Sequence, residues 1–258
     1  MHIIASQTRI SSIYYWTVAI ALALLSGISH ANPLPEHFTA HYTLSKGIIN
    51  FGETTRSLKK ETNGEYVFES YTVATGMFAW LLKGHIRERS YWRYKDGNIE
   101  PVKYIYERKG KKKRHVELTF DWDKLAVLNK INSDPWQMDI KPGTLDKLVY
   151  QLSLMLDLKQ GKREFFYNIA DGGKLKTYHI VSLGEEDVET PIGTFKTIKI
   201  TRDDDKHTTI LWCAEKLSYL PVKIEYSEDD DGPYTALIES LEGIPVGRGE
   251  NQRREHEK

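Results

Sequence analysis

Alternation of apolar and polar residues dominates the chain and predicts β-strands. Phe38, Ala40, Tyr42 and Leu44 alternate with polar residues, as in a strand with one buried face. Further runs are rich in β-branched and aromatic residues, which favour strands; they cover residues 65–75, 89–95, 102–108, 115–122, 164–170, 176–183, 194–202, 208–214, 221–228 and 234–242. Turn sequences with glycine separate several runs: Asn63-Gly64, Asp96-Gly97, Asp171-Gly172-Gly173 and Asp231-Gly232. Many strands without helices between them predict an antiparallel sheet.

One segment departs from this pattern and predicts a helix over 145–158. Its apolar residues recur at helical spacing, at positions 145, 148, 149, 152, 155 and 156. Thr144 can cap its start and Gly161 can end it. Leu154 and Leu158 lie off the stripe, so we expect the helix to be covered on more than one side, either as core or as a plug or lid over a cavity. The predicted fold is mainly β, a large curved antiparallel sheet or open barrel with this amphipathic helix packed on its concave face.

The first 31 residues have the layout of a secretory signal peptide. An uncharged apolar run of 13 residues, 13–25, follows Arg9, and Ser29 and Ala31 are the small residues that precede a cleavage site. The run is short for a membrane span, which needs about 20 residues. We therefore expect export to the periplasm, a mature start at Asn32, and a single mainly-β domain over 32–246. The last twelve residues, 247–258, are highly charged without an apolar residue and predict a disordered tail.

Composition narrows the classes of function that the chain can serve. Lysine plus arginine equals aspartate plus glutamate at 36 each, which argues against a surface built to hold nucleic acid. One cysteine, Cys213, excludes an internal disulfide and a four-cysteine zinc site. It lies in an apolar strand-like run, so we expect a small buried side chain.

An apolar patch bracketed by Gly76 and Gly84 interrupts the strands and is a candidate ligand contact. It predicts a short helix or a loop over the sheet. Methionine and large aromatic residues together form adaptable apolar surfaces. Two interpretations stay open: the patch caps one end of the core, or it contacts a ligand or a membrane. The candidate apolar contacts are Met77, Phe78, Trp80, Leu81 and Leu82.

A basic cluster, residues 109–114, is the densest group of like charges. Gly110 lies inside it and strand-like runs flank it, which predicts the tip of a hairpin. The tip is either simply solvated or in contact with anionic groups of the cell envelope, such as lipid phosphates. The candidate anion contacts are Lys111, Lys112, Lys113 and Arg114.

Sequence motifs for catalysis or metal binding are absent. There is no nucleophile elbow, no phosphate-binding glycine loop and no S-x-x-K motif. His37 and His41 would lie roughly 13 Å apart on a strand, too far to share a metal ion. We expect no enzymatic activity, no metal and no cofactor.

Several stretches together resemble the bacterial domain-of-unknown-function family 3108, a group of exported envelope proteins. They are FTAHYTLSKGIINFGE (38–53), ATGMFAWL (74–81), IEPVKYIYERKGKKKRHVELTFDWD (99–123), TLDKLVYQLSLML (144–156), VETPIGTFKTIKITR (188–202) and LWCAEKLSYLPVKIEY (211–226). The resemblance implies a mainly β exported domain and brings no catalytic residues. A sheet with one helix is also similar to the half-barrel of periplasmic lipoprotein carriers, at the level of fold alone.

These observations favour a periplasmic, non-enzymatic protein that binds a hydrophobic or envelope-derived ligand. The alternative is a structural or assembly factor of the envelope that acts through protein contacts. Neither interpretation involves nucleic acid or a membrane span after cleavage of the signal peptide, and the protein partner is not identified by the sequence.

Overall fold

Fifteen β-strands form one continuous sheet in the computed structural model, which describes residues 34–204, 207–228 and 232–246. In chain order the strands are β1 (Phe38–Lys46), β2 (Ile49–Lys60), β3 (Tyr66–Ala74), β4 (His85–Lys95), β5 (Asn98–Arg108), β6 (Arg114–Asp121), β7 (Ala126–Ile131), β8 (Asp134–Asp139), β9 (Leu145–Asp146), β10 (Glu164–Asp171), β11 (Lys174–Thr190), β12 (Gly193–Asp204), β13 (His207–Ala214), β14 (Leu220–Glu228) and β15 (Tyr234–Glu242). Two helices, α1 (Gly76–Leu82) and α2 (Tyr150–Lys159), and a 3-10 turn (Glu215–Leu217) complete the described elements.

The sheet consists of two meanders that join where β1 pairs with β15. The strand order is β8-β7-β6-β5-β4-β3-β2-β1-β15-β14-β13-β12-β11-β10-β9, and every pairing is antiparallel except that of β9 with β10. Hairpins therefore connect almost all neighbouring strands, as the glycine-containing turns indicate. The mainly β, antiparallel fold predicted from the alternation is confirmed.

The sheet curls until elements near its two ends meet. Helix α2 contacts both β5 and β10, and β9 also contacts β5. The turn between β10 and β11 approaches the edge strand β8 so closely that a Cβ at Gly173 would lie 2.1 Å from the Trp136 ring. Gly173 also has a φ of +93°, so only glycine satisfies both the backbone and the contact at this position.

Besides β9, three strands escape sequence prediction because their residues do not alternate cleanly. Strand β2, INFGETTRSLKK, is mostly polar, yet it lies between β1 and β3 with its backbone paired on both sides. Strands β7 and β8 are short, and Pro135 in β8 is tolerated because β8 is an edge strand. Backbone pairing in a large sheet thus imposes strand structure on residues that lack a strand pattern.

Helix α2 is buried on more than one side, as its apolar content predicts. Its buried residues are Tyr150, Leu152, Leu154, Met155, Leu156 and Leu158. It ends as expected, because Gly161, with a φ of +85°, follows it and donates its N–H to the Leu158 carbonyl at 2.9 Å. The core of the protein includes these side chains and the inward-facing residues of both meanders.

The predicted start of this helix at Leu145 is wrong, since α2 begins at Tyr150. Leu145 and Asp146 instead form β9 and pair with Ile169 and Ala170 of β10. The Thr144 hydroxyl does not cap the helix but donates to the Lys141 carbonyl at 2.7 Å. The apolar spacing could not distinguish a helical turn from a two-residue strand that leads into one.

Asp146 explains why the chain turns between β9 and α2. Its carboxylate accepts the N–H groups of Leu148 and Val149, both at 2.8 Å, and the hydroxyl of Ser90 on β4 at 2.5 Å. The side chain is fully buried. Burial raises the pKa of Asp146 to about 6, although the three hydrogen bonds act to lower it.

We expect the stability of the protein to fall as pH rises from about 4 to about 7 through the ionisation of Asp146. The folded pKa lies above the ordinary value of 3.8, so between the two values the folded state holds a proton that the unfolded chain has lost. The stabilisation that this extra proton gives is complete below the pKa of the unfolded chain, and it is lost as pH rises through the pKa of the folded state. The loss is on the order of 2 to 3 kcal/mol.

Urea unfolding of the wild type and Asp146→Asn across this pH range measures the effect, because contributions from other groups cancel in the difference. The amide keeps an acceptor for the two N–H groups but has no charge to bury. The wild type should lose stability relative to Asp146→Asn as pH rises, and Ser90→Ala should steepen the loss. A constant difference between pH 4 and pH 7 would contradict the assignment.

Cys213 is a buried side chain, as its apolar surroundings predict. It is free, and burial raises the pKa of its thiol.

The segments 1–31 and 247–258 lie outside the described residues, so the signal peptide, the mature start at Asn32 and the disordered tail stay predictions. Among the described helices, none has the length and apolar character needed to cross a membrane.

Candidate functional site

Three connections between strands meet at one end of the sheet. The register aligns Lys46 with Ile49, Gly52 with Ala74, Val73 with His85, and Ile86 with Arg108. The β1–β2 turn, helix α1 between β3 and β4, and the basic loop 109–113 between β5 and β6 therefore lie side by side. The two segments that the sequence singled out separately are neighbours in the fold.

A cavity of about 420 Å³ opens beside these connections. Its residues are Leu44, Phe51, Thr72, Val73, Ala74, Gly84, His85, Ile86, Arg108, Lys109, Lys111 and Lys112. Leu44 continues the alternation of the buried Ala40 and Tyr42, which places the cavity on the core-facing side of the sheet. Its volume falls within the range of about 300–1,000 Å³ that is typical of sites for small molecules.

The lining combines apolar and basic residues. Strands β1 to β4 contribute the apolar part through Leu44, Phe51, Val73, Ala74 and Ile86. The end of β5 and the basic loop contribute four basic residues, Arg108, Lys109, Lys111 and Lys112. The described lining contains no aspartate or glutamate. An amphiphile with an apolar chain and an anionic group matches this set of residues.

Close backbone packing brings the basic loop to the cavity. The Lys109 N–H donates to the His85 carbonyl at 2.9 Å. A Cβ at Gly84 would lie 2.0 Å from the Lys109 carbonyl oxygen, so the approach of these two segments requires glycine. The Arg108 Nε donates to the Lys112 carbonyl at 2.7 Å and fixes the curve of the loop.

Helix α1 lies over the ends of β2 and β3 next to the cavity. The Phe78 ring packs edge-on against Phe51, with ring centroids 6.4 Å apart, and Phe51 contacts Tyr234 of β15 in the same way at 5.8 Å. The helix has seven residues and no side-chain cap at its N-terminus. A helix this short is unstable alone and depends on such contacts.

The structure corrects one interpretation of the apolar patch. Met77 and Trp80 are 79% and 75% exposed, so the interpretation that the patch caps the core is wrong for these two residues. They lie on an exposed side of the short helix, where no strand of the described residues covers them. Phe78 is half-buried against Phe51. Leu81 and Leu82 belong to α1, and their side chains lie outside the described residues.

The basic cluster does form the predicted hairpin tip, and its four candidate residues divide between two places. Lys111 and Lys112 line the cavity, and Lys113 is exposed beside them. Arg114 begins β6 and instead lines a second cavity of about 130 Å³, with Tyr104, Tyr106, Val116, Lys147, Asp171 and Gly172. The four residues thus do not form one anion site.

The second cavity is a structural junction in which Lys147, Tyr104 and Asp171 already have polar partners. The Lys147 ammonium lies 3.5 Å from the Glu88 carboxylate and 4.5 Å from the Tyr106 ring centroid. The Tyr104 hydroxyl donates to Glu88 at 2.6 Å, and burial followed by the Glu88 charge raises the pKa of Tyr104 well above its usual value. These contacts join β4 and β5 to the segment that leads into α2.

The apolar lining of the first cavity could not be recognised in the sequence. Leu44 and Val73 occur within predicted strand patterns and read as ordinary core residues, and Ile86 lies just before the predicted run 89–95. Only their position at strand ends, where the sheet offers no further side chain to cover them, leaves them facing a cavity. Among the described residues, no group of three or more histidine, cysteine, aspartate or glutamate side chains is placed to hold a metal ion.

Comparison with known proteins identifies the family and the fold. The family model described as "Protein of unknown function (DUF3108)" matches residues 37–239. No curated protein matches the sequence. A similar solved structure is a β-barrel-like protein of the domain of unknown function DUF1849 from Brucella abortus, with a TM-score of 0.55, 11% identity and coverage of 83% of this chain and 99% of that chain. The likeness is one of fold, and the family match shows that the chain belongs to the DUF3108 family.

Proposed function

We propose that this protein binds an amphiphile with an acyl chain and an acidic group, and that it acts as a non-enzymatic binding protein of the cell envelope. The observation that carries the proposal is the composition of the cavity lining. Apolar residues of four strands line the cavity together with Arg108, Lys109, Lys111 and Lys112 from the end of β5 and the basic loop.

The energetics of such a ligand fit this lining. Transfer of eight methylene groups from water to an apolar cavity contributes roughly 6 kcal/mol, part of which offsets the loss of ligand freedom. The acidic group of the ligand would lie beside lysine ammonium groups that stay partly hydrated, so their attraction adds little to the free energy of binding. The acyl chain therefore supplies most of the affinity, and the basic loop selects for the acid.

A binding role, without catalysis, agrees with the chemistry of the cavity. Cys213 does not line it and is buried with a raised thiol pKa. His85 is the one described histidine in the lining, and its ring lies 5.2 Å from the Tyr71 ring. We infer that the ligand leaves the cavity chemically unchanged.

The periplasmic location is part of the proposal and has its own test. Cleavage after Ala31 should give a mature protein that begins at Asn32. N-terminal sequencing of the protein from the periplasmic fraction checks this result. A mature protein that retains Met1, or one found in the cytoplasm, would contradict export.

Replacement of the two cavity lysines tests selection of the acidic group. Lys111→Gln/Lys112→Gln should weaken binding of dansyl-undecanoic acid about tenfold, because each lost charge near the carboxylate costs on the order of 0.5 to 1 kcal/mol at a hydrated site. Lys60→Gln/Lys216→Gln is the matched control, since both lysines are exposed at the opposite end of the sheet. Equal affinity for all three proteins would contradict the role of the basic loop.

Solvent extraction of the protein purified from the envelope, followed by mass spectrometry, tests the ligand class. Acidic lipids should be retained at near-stoichiometric amounts in the wild type. Protein free of lipid that co-purifies with another envelope protein would favour the alternative, a structural or assembly factor.

A further inference from the structure

We propose that the end of the sheet that carries the cavity docks on an anionic bilayer surface. Three segments form this docking end: 46–49 in the β1–β2 turn, 75–85 around α1, and 108–114 around the basic loop. The proposal concerns a partner surface and adds to the proposed function, because it states where the cavity would meet its ligand.

The docking end exposes large apolar side chains. Ile48 is fully exposed and Ile49 is 55% exposed at the tip of the β1–β2 hairpin. Met77 and Trp80 of α1 are the other exposed members of this group. Isoleucine is a poor turn residue, since turns favour glycine, asparagine, aspartate, serine and proline. Four such side chains at the tips of neighbouring connections indicate an interaction surface.

The charges of the docking end indicate which surface it meets. The three segments contain six lysines and two arginines but no aspartate or glutamate, although the whole chain has a net charge of zero. The connection between β14 and β15 belongs to the same end of the sheet, since Tyr234 pairs with Lys46, and its sequence includes three aspartates. The excess of basic charge is therefore confined to the three segments. Glu107, directly before the third segment, has its carboxylate 3.8 Å from the Arg89 guanidinium. The Lys83 ammonium lies 5.8 Å from the Trp80 ring centroid, so a cation and an exposed aromatic ring stand together. Apolar tips surrounded by cations complement a bilayer with anionic headgroups.

The position of the cavity supports this partner over a soluble protein. Lys111 and Lys112 belong both to the docking end and to the cavity lining. A bilayer in contact with the tips would therefore lie against the entrance, and an acyl chain could pass from one to the other without crossing water. Helix α1 from the first predicted contact patch and Lys111, Lys112 and Lys113 from the second thus belong to one surface, whereas Arg114 lines the second cavity.

Flotation with vesicles of phosphatidylcholine, with and without phosphatidylglycerol, tests the docking. The wild type should bind the vesicles that contain phosphatidylglycerol, and this binding should be lost at high salt because salt screens the charges. Lys83→Gln/Lys113→Gln should weaken this binding about tenfold or more, since each basic residue near an anionic surface is worth about 1 kcal/mol. Ile48→Ser/Trp80→Ser should weaken it by a similar factor. The matched controls, Lys60→Gln/Lys216→Gln for charge and Leu183→Ser for an exposed apolar residue elsewhere, should bind as the wild type does.

None of these docking variants changes a residue of the cavity lining, so their affinity for dansyl-undecanoic acid in solution should stay within about twofold of the wild type. This arm separates the two proposals. Variants that lose vesicle binding but keep the wild type's affinity for the acid support the docking end, whereas a wild type that binds anionic vesicles but not the acid would contradict the proposed function alone. Equal binding to both vesicle types, equal loss in the control variants, or full binding by Ile48→Ser/Trp80→Ser would overturn it. Co-purification with a protein partner that protects Trp80, without vesicle binding, would also overturn it.

Discussion

A Leu152→Asp variant is expected not to accumulate as folded protein. Leu152 lies in the middle of α2 and is fully buried between elements from both meanders of the sheet. A carboxylate at this position would have no basic partner on the helix, whose single basic residue, Lys159, lies in its last turn. The effective penalty for burying an unpaired charge is several kcal/mol, against a total stability of about 5–15 kcal/mol.

Soluble yield, circular dichroism and urea unfolding measure this effect. Leu152→Met preserves the volume and should cost less than about 1.5 kcal/mol. Gln160→Asp places the same carboxylate at the exposed end of the helix and should leave the fold intact. A Leu152→Asp protein with the thermal midpoint of the wild type would show that α2 is not part of the core.

An Ala74→Asp variant is expected to lose ligand binding while the protein stays folded. Ala74 ends β3, lines the cavity and is only partly buried, so a carboxylate there remains hydrated while the cavity is empty. A bound acyl chain would cover that charge and remove its water. A desolvation cost of about 3 kcal/mol corresponds to a loss of affinity of at least about 100-fold.

Titration with dansyl-undecanoic acid, with urea unfolding of the same proteins, checks both halves of this expectation. Ala74→Ser, which is small and uncharged, should bind the acid at close to wild-type affinity. Ala79→Asp introduces the same charge on the exposed side of α1, outside the lining, and should also bind. Wild-type affinity in Ala74→Asp would mean that the chain does not enter this cavity.

Local patterns in the sequence predicted much of the sheet because most strands bury one face. Strand β15 begins and ends where the alternation does, at Tyr234 and Glu242. Strand β2 could not be predicted in this way, because its pairing with two neighbours and not its side chains makes it a strand. The first turn of the helix was misplaced for a related reason. Asp146 looks like a helix residue in the sequence, but its carboxylate binds the backbone ahead of α2 and Ser90 of a distant strand.

The candidate site was predicted in pieces. Residues 77–82 and 111–114 stood out because apolar and cationic clusters are unusual in connections between strands. That they meet depends on the register of β1 through β5, which no local pattern reveals. Arg114 could not be separated from its neighbours in this way, since it is contiguous with Lys113 in sequence but begins β6 and lines the second cavity.

The most direct test of ligand binding is the position of a heavy atom at the end of a bound chain. A crystal of the protein soaked with 12-bromododecanoic acid should show anomalous scattering from bromine among Leu44, Phe51 and Ile86, with the carboxylate beside Lys111 and Lys112. Two results would contradict the assignment of this cavity as the acyl-chain site. One is a bromine peak at the outer face of the sheet or at the second cavity, and the other is no bromine peak at a saturating concentration of the acid.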